Sequence, residues 1–96
     1  MKILDKDYVV RYNLRSMFVF EQITDKAFEV KTMMDEYILL YSCIVSVKDN
    51  PSLDFEEFID YCSDHPEVLT EFSEYMQREA EKRQTESKKK VRKKKN

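Results

Sequence analysis

The feature that most constrains this fold is an apolar stretch in the middle of the chain. Between residues 37 and 47, only Ser42 and Ser46 are neither apolar nor aromatic. Read as a helix, the stretch has apolar side chains on nearly every side, which is typical of a helix that is buried or that spans a membrane. Its 11 residues are well short of the roughly 20 that a bilayer requires. We therefore predict a central helix over residues 32–48 of a small soluble domain, capped by Thr32.

The segment before the central helix contains signals for one helix and one possible strand. Asn13 is a favourable N-cap for a first helix over residues 14–23. Its expected core-facing stripe, with two apolar residues beside it, consists of Leu14, Met17, Phe18 and Glu21, flanked by Phe20 and Ile23. Residues 8–12 are mostly β-branched or aromatic and could form a short strand or an extended lead-in to this helix. A lone strand needs a pairing partner, which a second subunit could supply.

Two more helices follow the central one. Asp54, with Glu57 three residues later, has the spacing of a capping box that opens a third helix over residues 55–63. Proline is favoured at the first position of a helix, so Pro66 opens the fourth, which we expect to fray after about residue 84. The sequence thus predicts an all-α fold, a small bundle of about four helices around the central apolar helix.

The charge of the chain divides near its C-terminal end. Residues 88–95, KKKVRKKK, hold seven of the 17 basic residues, which leaves ten basic against 19 acidic residues in residues 1–87 and a net charge of −9 there. We predict a helical domain over residues 1–84 and a disordered basic tail over residues 85–96. The basic side chains of the tail are Lys88, Lys89, Lys90, Arg92, Lys93, Lys94 and Lys95.

The basic tail has three interpretations that the sequence does not separate. It could bind nucleic acid or a membrane surface. It could be a localisation signal, or only a solvated end. The acidic domain argues against nucleic-acid binding by the domain itself, so we expect nucleic acid to bind through the tail if it binds at all.

No stretch carries the signature of an enzyme or of a bound cofactor. The chain has no glycine, which removes the phosphate-binding loops. Cys43 and Cys62 lie in apolar helical patterns and, without a signal peptide, are read as reduced thiols of a cytoplasmic protein. Cys62 and His65 could pair as a nucleophile, but that chemistry needs a third positioned group. Glu57 could end an EF-hand loop, but Lys48 would then occupy a ligand position. We expect no catalytic residue, metal site or cofactor.

The aromatic content points instead to an interface. Twelve aromatic residues are more than one small core easily hides, so we expect some of them between subunits of a homo-oligomer or against a partner. Met34, Tyr37 and Tyr41 are the candidate partner-binding residues, because the central helix lacks a polar face. Methionine and aromatic side chains give an adaptable apolar surface.

Three segments occur in a characteristic order: FEQITDKAF at residues 20–28, EYILLYSCIV at residues 36–45 and LDFEEF at residues 53–58. In this order they resemble the tail assembly chaperones of long-tailed bacteriophages, the small proteins encoded just ahead of the tape-measure protein. The resemblance covers about residues 8–76 and departs at Asp25, where many such proteins have glycine. It implies a non-enzymatic protein of the host bacterial cytoplasm that binds the tape-measure protein, keeps its apolar surface from aggregating and recruits the tail-tube protein.

The resemblance also gives the tail a further interpretation. Members of this family are often made in a second, longer form by ribosomal frameshifting near the end of the first reading frame. Lysine codons are rich in adenine, and KKK occurs twice within residues 88–95, so we hypothesise a frameshift site there. The alternative function is that of a small nucleic-acid-binding or regulatory adaptor that acts through its polybasic tail.

Overall fold

The computed structural model describes residues 1–82. The elements are β1 (Lys2–Ile3), β2 (Lys6–Asp7), α1 (Leu14–Thr24), α2 (Met33–Val45), α3 (Phe55–Asp64) and α4 (Glu67–Lys95), of which the part of α4 up to residue 82 is described. The fold is therefore mostly helical, with four helices and a short two-stranded antiparallel sheet, which confirms the predicted helical architecture. The predicted disordered tail, residues 85–96, lies outside the described residues.

The helices begin where the capping residues predict. The Asn13 side chain accepts a hydrogen bond from the Ser16 N–H, and the Thr32 side chain accepts one from the Asp35 N–H. In both cases the side chain of the third helical residue accepts a hydrogen bond from the N–H of the cap residue. The two bonds together satisfy two backbone donors that the helix leaves unpaired. The Asp54 carboxylate caps α3 at the Glu57 N–H, 3.1 Å away. Each cap contributes about 1 kcal/mol.

Helix α2 lies at the centre of the fold, as the apolar stretch predicts. It contacts α1, α3 and α4. Phe20 of α1, Phe58 of α3 and Phe72 of α4 join it in one core. The apolar side chains that α2 buries are Ile38, Leu39, Leu40, Cys43 and Ile44. Because burial of each large apolar side chain contributes roughly 1.5–3 kcal/mol, this core dominates the stability of the domain.

Helix α2 ends earlier than the apolar run does. The predicted helix continues to residue 48, whereas α2 ends at Val45. The carbonyl oxygen of Ile44 accepts hydrogen bonds from the Val47 N–H and from the side-chain amide of Asn50. These bonds close the chain into a turn and use a carbonyl that a continuing helix would direct to residue 48.

Of the two interpretations of residues 8–12, a short strand or an extended lead-in to α1, the structure does not support the strand. The two strands lie earlier and pair Lys2 with Asp7 and Ile3 with Lys6 within the one chain. Tyr8 continues this pairing, because its N–H donates to the Met1 carbonyl at 2.8 Å and its carbonyl accepts from the Met1 ammonium at 2.9 Å. Residues 9–12 then lead to α1 outside the assigned strands. The side chain of Asn50 takes the place of a neighbouring strand, because it accepts from the Val9 N–H at 2.9 Å and donates to the Val9 carbonyl at 2.8 Å.

The apolar stripe of α1 does not coincide with the side of the helix that faces the core. The residues that α1 buries completely are Ser16 and Phe20, whereas Leu14 and Phe18 are exposed. Ser16 is small and fully buried, and it lies close enough to Cys43 of α2 to influence the pKa of that thiol. With Ser16 and Phe20 on the buried side of α1, Leu14 and Phe18 lie on its exposed side.

Candidate binding groove between α2 and α4

An open groove runs between α2 and the described part of α4, with a volume of about 510 Å³. We call it the α2–α4 groove. Leu39 of α2 and Phe72 of α4 are almost fully buried at its base. Its other apolar lining residues include Phe28, Leu69, Met76 and Ala80. An apolar cleft of this size falls in the range of ligand-binding pockets, roughly 300–1,000 Å³.

One wall of the groove comes from the loop between α1 and α2, through Phe28. The Phe28 N–H donates to the Glu21 carboxylate at 2.7 Å, and its ring meets that of Phe20 edge to face at 5.1 Å. Asp25, in the left-handed region with φ 55°, turns the chain out of α1 toward this position. The loop is therefore held at Phe28 both by the backbone N–H of this residue and by its ring.

The same loop is anchored to the start of α2 by Asp35. Its carboxylate accepts hydrogen bonds from the N–H groups of Lys31 and Thr32, at 3.0 and 3.2 Å. The Lys26 ammonium lies 3.2 Å from it. The Lys31 N–H is the largest influence that holds the pKa of Asp35 down at about 2, with Thr32 and Lys26 acting in the same direction against desolvation. The carboxylate is therefore ionised at neutral pH and holds the loop in place.

The N-terminal segment closes one end of the groove. The ring of Tyr12 lines the groove and lies 6.4 Å from that of Phe28. The Tyr12 N–H donates to the hydroxyl of Tyr75 on α4 at 3.0 Å, which ties the segment to that helix. Residues 12, 28 and 75 are far apart in sequence, so the groove depends on the tertiary fold.

The polar part of the lining carries no positive charge. It consists of Glu36, Ser73 and Gln77, and Glu79 lines a smaller cavity that shares Tyr12 with the groove. An apolar floor with an acidic rim suits an apolar segment flanked by basic residues, because opposite charges at a rim steer association and fix its register.

The three predicted partner-binding residues lie elsewhere on α2. Met34 is 69% exposed, and Tyr37 is half-buried. Tyr41 is packed toward α3, because its hydroxyl donates to the Leu53 carbonyl at 2.7 Å and its ring meets that of Phe55 edge to face at 5.0 Å. None of the three lines the groove, so their role in binding stays a prediction. The seven basic tail residues lie outside the described residues.

The groove residues were visible in the sequence only as a short apolar stripe on α4. Leu69, Phe72 and Met76 have helical spacing and predict a core-facing side. Nothing in that pattern shows that part of the stripe stays uncovered. The sequence pattern also does not indicate that Phe28 lines the groove, because the position of Phe28 depends on the loop that Asp35 anchors.

The thiols and the imidazole are placed for structural roles. Burial raises the pKa of the Cys43 thiol to about 12 and that of the Cys62 thiol to about 11, so both are protonated at neutral pH. The His65 ring stacks on Tyr61 at 3.9 Å and its Nδ1 lies 2.8 Å from the Tyr61 carbonyl oxygen. A protonated thiol is a poor nucleophile.

The described part of the chain has no cluster of three or more His, Cys, Asp or Glu side chains that could hold a metal ion. Within residues 1–82, no helix combines the length and the apolar character needed to cross a bilayer. Comparison of the chain with protein-family models, with curated proteins and with solved structures gives no match.

Proposed function

We propose that this chain is a non-enzymatic assembly chaperone that binds an apolar helical segment of a partner in the α2–α4 groove. The observation that carries the proposal is the groove itself, whose base and walls are apolar and open to solvent. Binding of an amphipathic helix in an apolar groove is a recurrent mode of peptide recognition. The partner's apolar face is then covered and kept from aggregating.

The resemblance to tail assembly chaperones supplies the partner in this proposal. The client is the tape-measure protein of a long-tailed bacteriophage, a long helical protein, and the chaperone aids assembly of the tail tube in the host bacterial cytoplasm. The acidic rim of the groove favours client segments in which lysine or arginine flanks the apolar face. The basic tail of the chain itself is a poor occupant, because residues 88–95 contain one apolar residue, Val91.

Co-expression with the tape-measure protein of the same gene cluster tests the proposal. The double variant Ser73→Arg, Gln77→Arg places two long cations in the mouth of the groove at exposed positions of α4. Glu71→Gln, Glu74→Gln is the matched control, because it makes the same charge change on a different side of α4. We expect the groove variant to lower the amount of co-purified client at least tenfold and the control to leave it unchanged.

Two results would count against the proposal. The first is a groove variant that retains the client as well as the control does. The second is a tape-measure protein that is equally soluble with and without the chain. Thermal unfolding of both variants checks that the domain remains folded, since all four substituted positions are exposed.

The proposed longer form is tested separately, on the native gene with its downstream DNA. Intact-mass measurement of products that carry an N-terminal tag should show a minor, longer species that diverges within residues 88–95. A single species that ends at Asn96 would remove the frameshift hypothesis and leave the groove proposal to be judged by client binding.

A further inference from the structure

A second apolar surface lies at the junction of α1 and the C-terminal end of α2. Leu14 is 63% exposed, Phe18 is 55% exposed and Val45 is 37% exposed. Together with the half-buried Val19 they line a shallow depression of about 650 Å³. We call this surface the α1 patch. It shares no lining residue with the α2–α4 groove.

The α1 patch has the shape of a helix-packing surface. Leu14 and Phe18 are separated by four residues, so they form one ridge along α1. Ridges of this spacing fit the grooves of a second helix. Large side chains that are exposed together on a small domain commonly mark an interaction site, whereas single exposed apolar residues do not.

The charge of the α1 patch is opposite to that of the rest of the domain. Its lining contains Arg15 and Lys48 and no carboxylate, although residues 1–87 carry a net charge of −9. Within residues 1–82, neither cation forms an ion pair with a carboxylate. The nearest acidic residues in sequence are Glu21, which is bonded to the Phe28 N–H, and the exposed Asp49.

This charge pattern disfavours two occupants that the chain itself could supply, a second α1 patch and the basic tail. A two-fold contact between two α1 patches would gather Arg15 and Lys48 of both copies in one interface, and the lining of the patch supplies no carboxylate to pair with them. The C-terminal tail, with seven basic residues in residues 88–95, would be repelled in the same way. Charge complementarity at this surface therefore favours an occupant that carries negative charge.

We infer that the α1 patch is a docking site for an acidic amphipathic helix of a different protein. The apolar side of that helix packs on Leu14, Phe18 and Val45, and its flanking Asp or Glu side chains pair with Arg15 and Lys48. The inference goes beyond the proposed client binding, because it concerns another surface and a partner of opposite charge.

Synthetic helical peptides test the inference on the full chain. The first probe has a leucine stripe flanked by glutamate, the second has lysine in place of glutamate, and the third has the composition of the first in scrambled order. Because the domain is acidic, its overall field favours the lysine peptide. Preferential effects of the glutamate peptide at the α1 patch would therefore reflect local recognition.

We expect the glutamate peptide to shift the backbone amide resonances of residues 14–22 and 45–48, and to bind there at least tenfold more tightly than the scrambled peptide. Phe18→Ser and the charge reversal Arg15→Glu, Lys48→Glu should each weaken this binding at least fivefold. The groove variant Ser73→Arg, Gln77→Arg should leave it unchanged. All three α1-patch residues substituted are exposed, and thermal unfolding confirms that the variants fold.

Three outcomes would overturn the inference. One is equal binding of the glutamate and scrambled peptides, and another is a set of shifts that maps to the α2–α4 groove. The third is a dimer that dissociates on Phe18→Ser without any peptide, since the surface would then be a contact between copies. If the groove proposal fails, the peptide test of the α1 patch remains valid, because client binding and peptide binding are measured on separate surfaces.

Discussion

At the scale of single residues, Asp25 has a backbone conformation that glycine would adopt at lower energetic cost. Its φ of 55° and ψ of 37° place it in the left-handed region at the C-terminal end of α1, and the chain contains no glycine. A residue with a Cβ is disfavoured there, although aspartate tolerates the region better than most. The turn it makes sets the path of the loop that carries Phe28 into the groove.

Replacing Asp25 by glycine should therefore stabilise the domain. We expect Asp25→Gly to raise the free energy of unfolding by about 0.5–1 kcal/mol, because the relief at positive φ exceeds the extra freedom that glycine gives the unfolded chain. Asp60→Gly is the matched control in the exposed interior of α3, where glycine costs about 1 kcal/mol. Urea unfolding measures both, and equal destabilisation by the two variants would contradict the assignment at Asp25.

Asp35 makes the stability of the loop depend on pH. Hydrogen bonds from the Lys31 and Thr32 N–H groups and the Lys26 ammonium lower the pKa of its carboxyl from 3.8 to about 2. Because the pKa is lower in the folded than in the unfolded protein, the ionised carboxylate stabilises the fold above about pH 4, and this stabilisation is lost as the pH falls toward 2.

The variant Asp35→Asn isolates this effect. We expect it to be less stable than the wild type at pH 7, and the difference between them to shrink as the pH falls from 5 to 2.5. Urea midpoints at several pH values measure the difference. A difference that stays constant over this range would show that the hydrogen-bonding geometry, rather than the charge of Asp35, is what matters.

At the scale of elements, helix starts were predictable and helix orientations were not. The caps Asn13, Thr32 and Asp54 act on backbone groups within three residues, so local spacing is sufficient to find them. The side of α1 that faces the core depends on the fit of Ser16 against Cys43, a contact between two helices. Apolar spacing within α1 cannot show that a serine occupies the buried position.

The bonding partners of residues 8–12 and the groove could not be predicted, for the same reason. The backbone of Val9 is held by Asn50, 41 residues away in sequence, and the Arg11 N–H donates to the Cys43 carbonyl. A pattern of β-branched residues predicts an extended backbone but not its partner. The groove in turn requires Phe28, Leu39 and Met76 to meet across three different segments.

Asn50 is the side chain on which this arrangement depends most. It forms three hydrogen bonds, to the N–H and carbonyl of Val9 and to the Ile44 carbonyl. We expect Asn50→Ala to cost about 2 kcal/mol, since each bond contributes roughly 0.5–1.5 kcal/mol. Asn50→Asp should cost at least as much, because it keeps the acceptor for the Val9 N–H but places a carboxylate oxygen against the carbonyl oxygens of Val9 and Ile44.

Hydrogen exchange localises the effect of these Asn50 variants. We expect the amides of Val9 and Arg11 to exchange faster in Asn50→Ala than in the wild type, with smaller changes at the core of α2. Uniformly faster exchange over the whole domain would mean that Asn50 stabilises the fold globally and does not act on residues 8–12 in particular.

At the scale of the whole molecule, one small domain presents two apolar surfaces of opposite character. The α2–α4 groove has Glu36 at its rim, and the α1 patch has Arg15 and Lys48. Helix α2 contributes to both, near its start and at its end. A protein with two such surfaces could hold two different helical partners at once, which is the geometry an assembly factor needs.

The contribution of the tail to binding can be separated from that of the domain by removing the charge of the tail. Replacing the seven basic residues within residues 88–95 by glutamine keeps the full chain length and changes its net charge from −2 to −9. We expect the unmodified chain to bind a short DNA duplex weakly, with an affinity that falls steeply with salt because the tail displaces counterions from the phosphates. The neutral-tail variant should lose this binding, since an acidic domain repels DNA.

Client binding in the groove should stay within twofold, because every groove residue precedes residue 82. If the variant still binds DNA, the nucleic-acid surface lies on the domain. That result would contradict the proposal that the domain binds the client and only the tail binds nucleic acid. Client binding lost with the tail charges would move the client's contact from the groove to the tail.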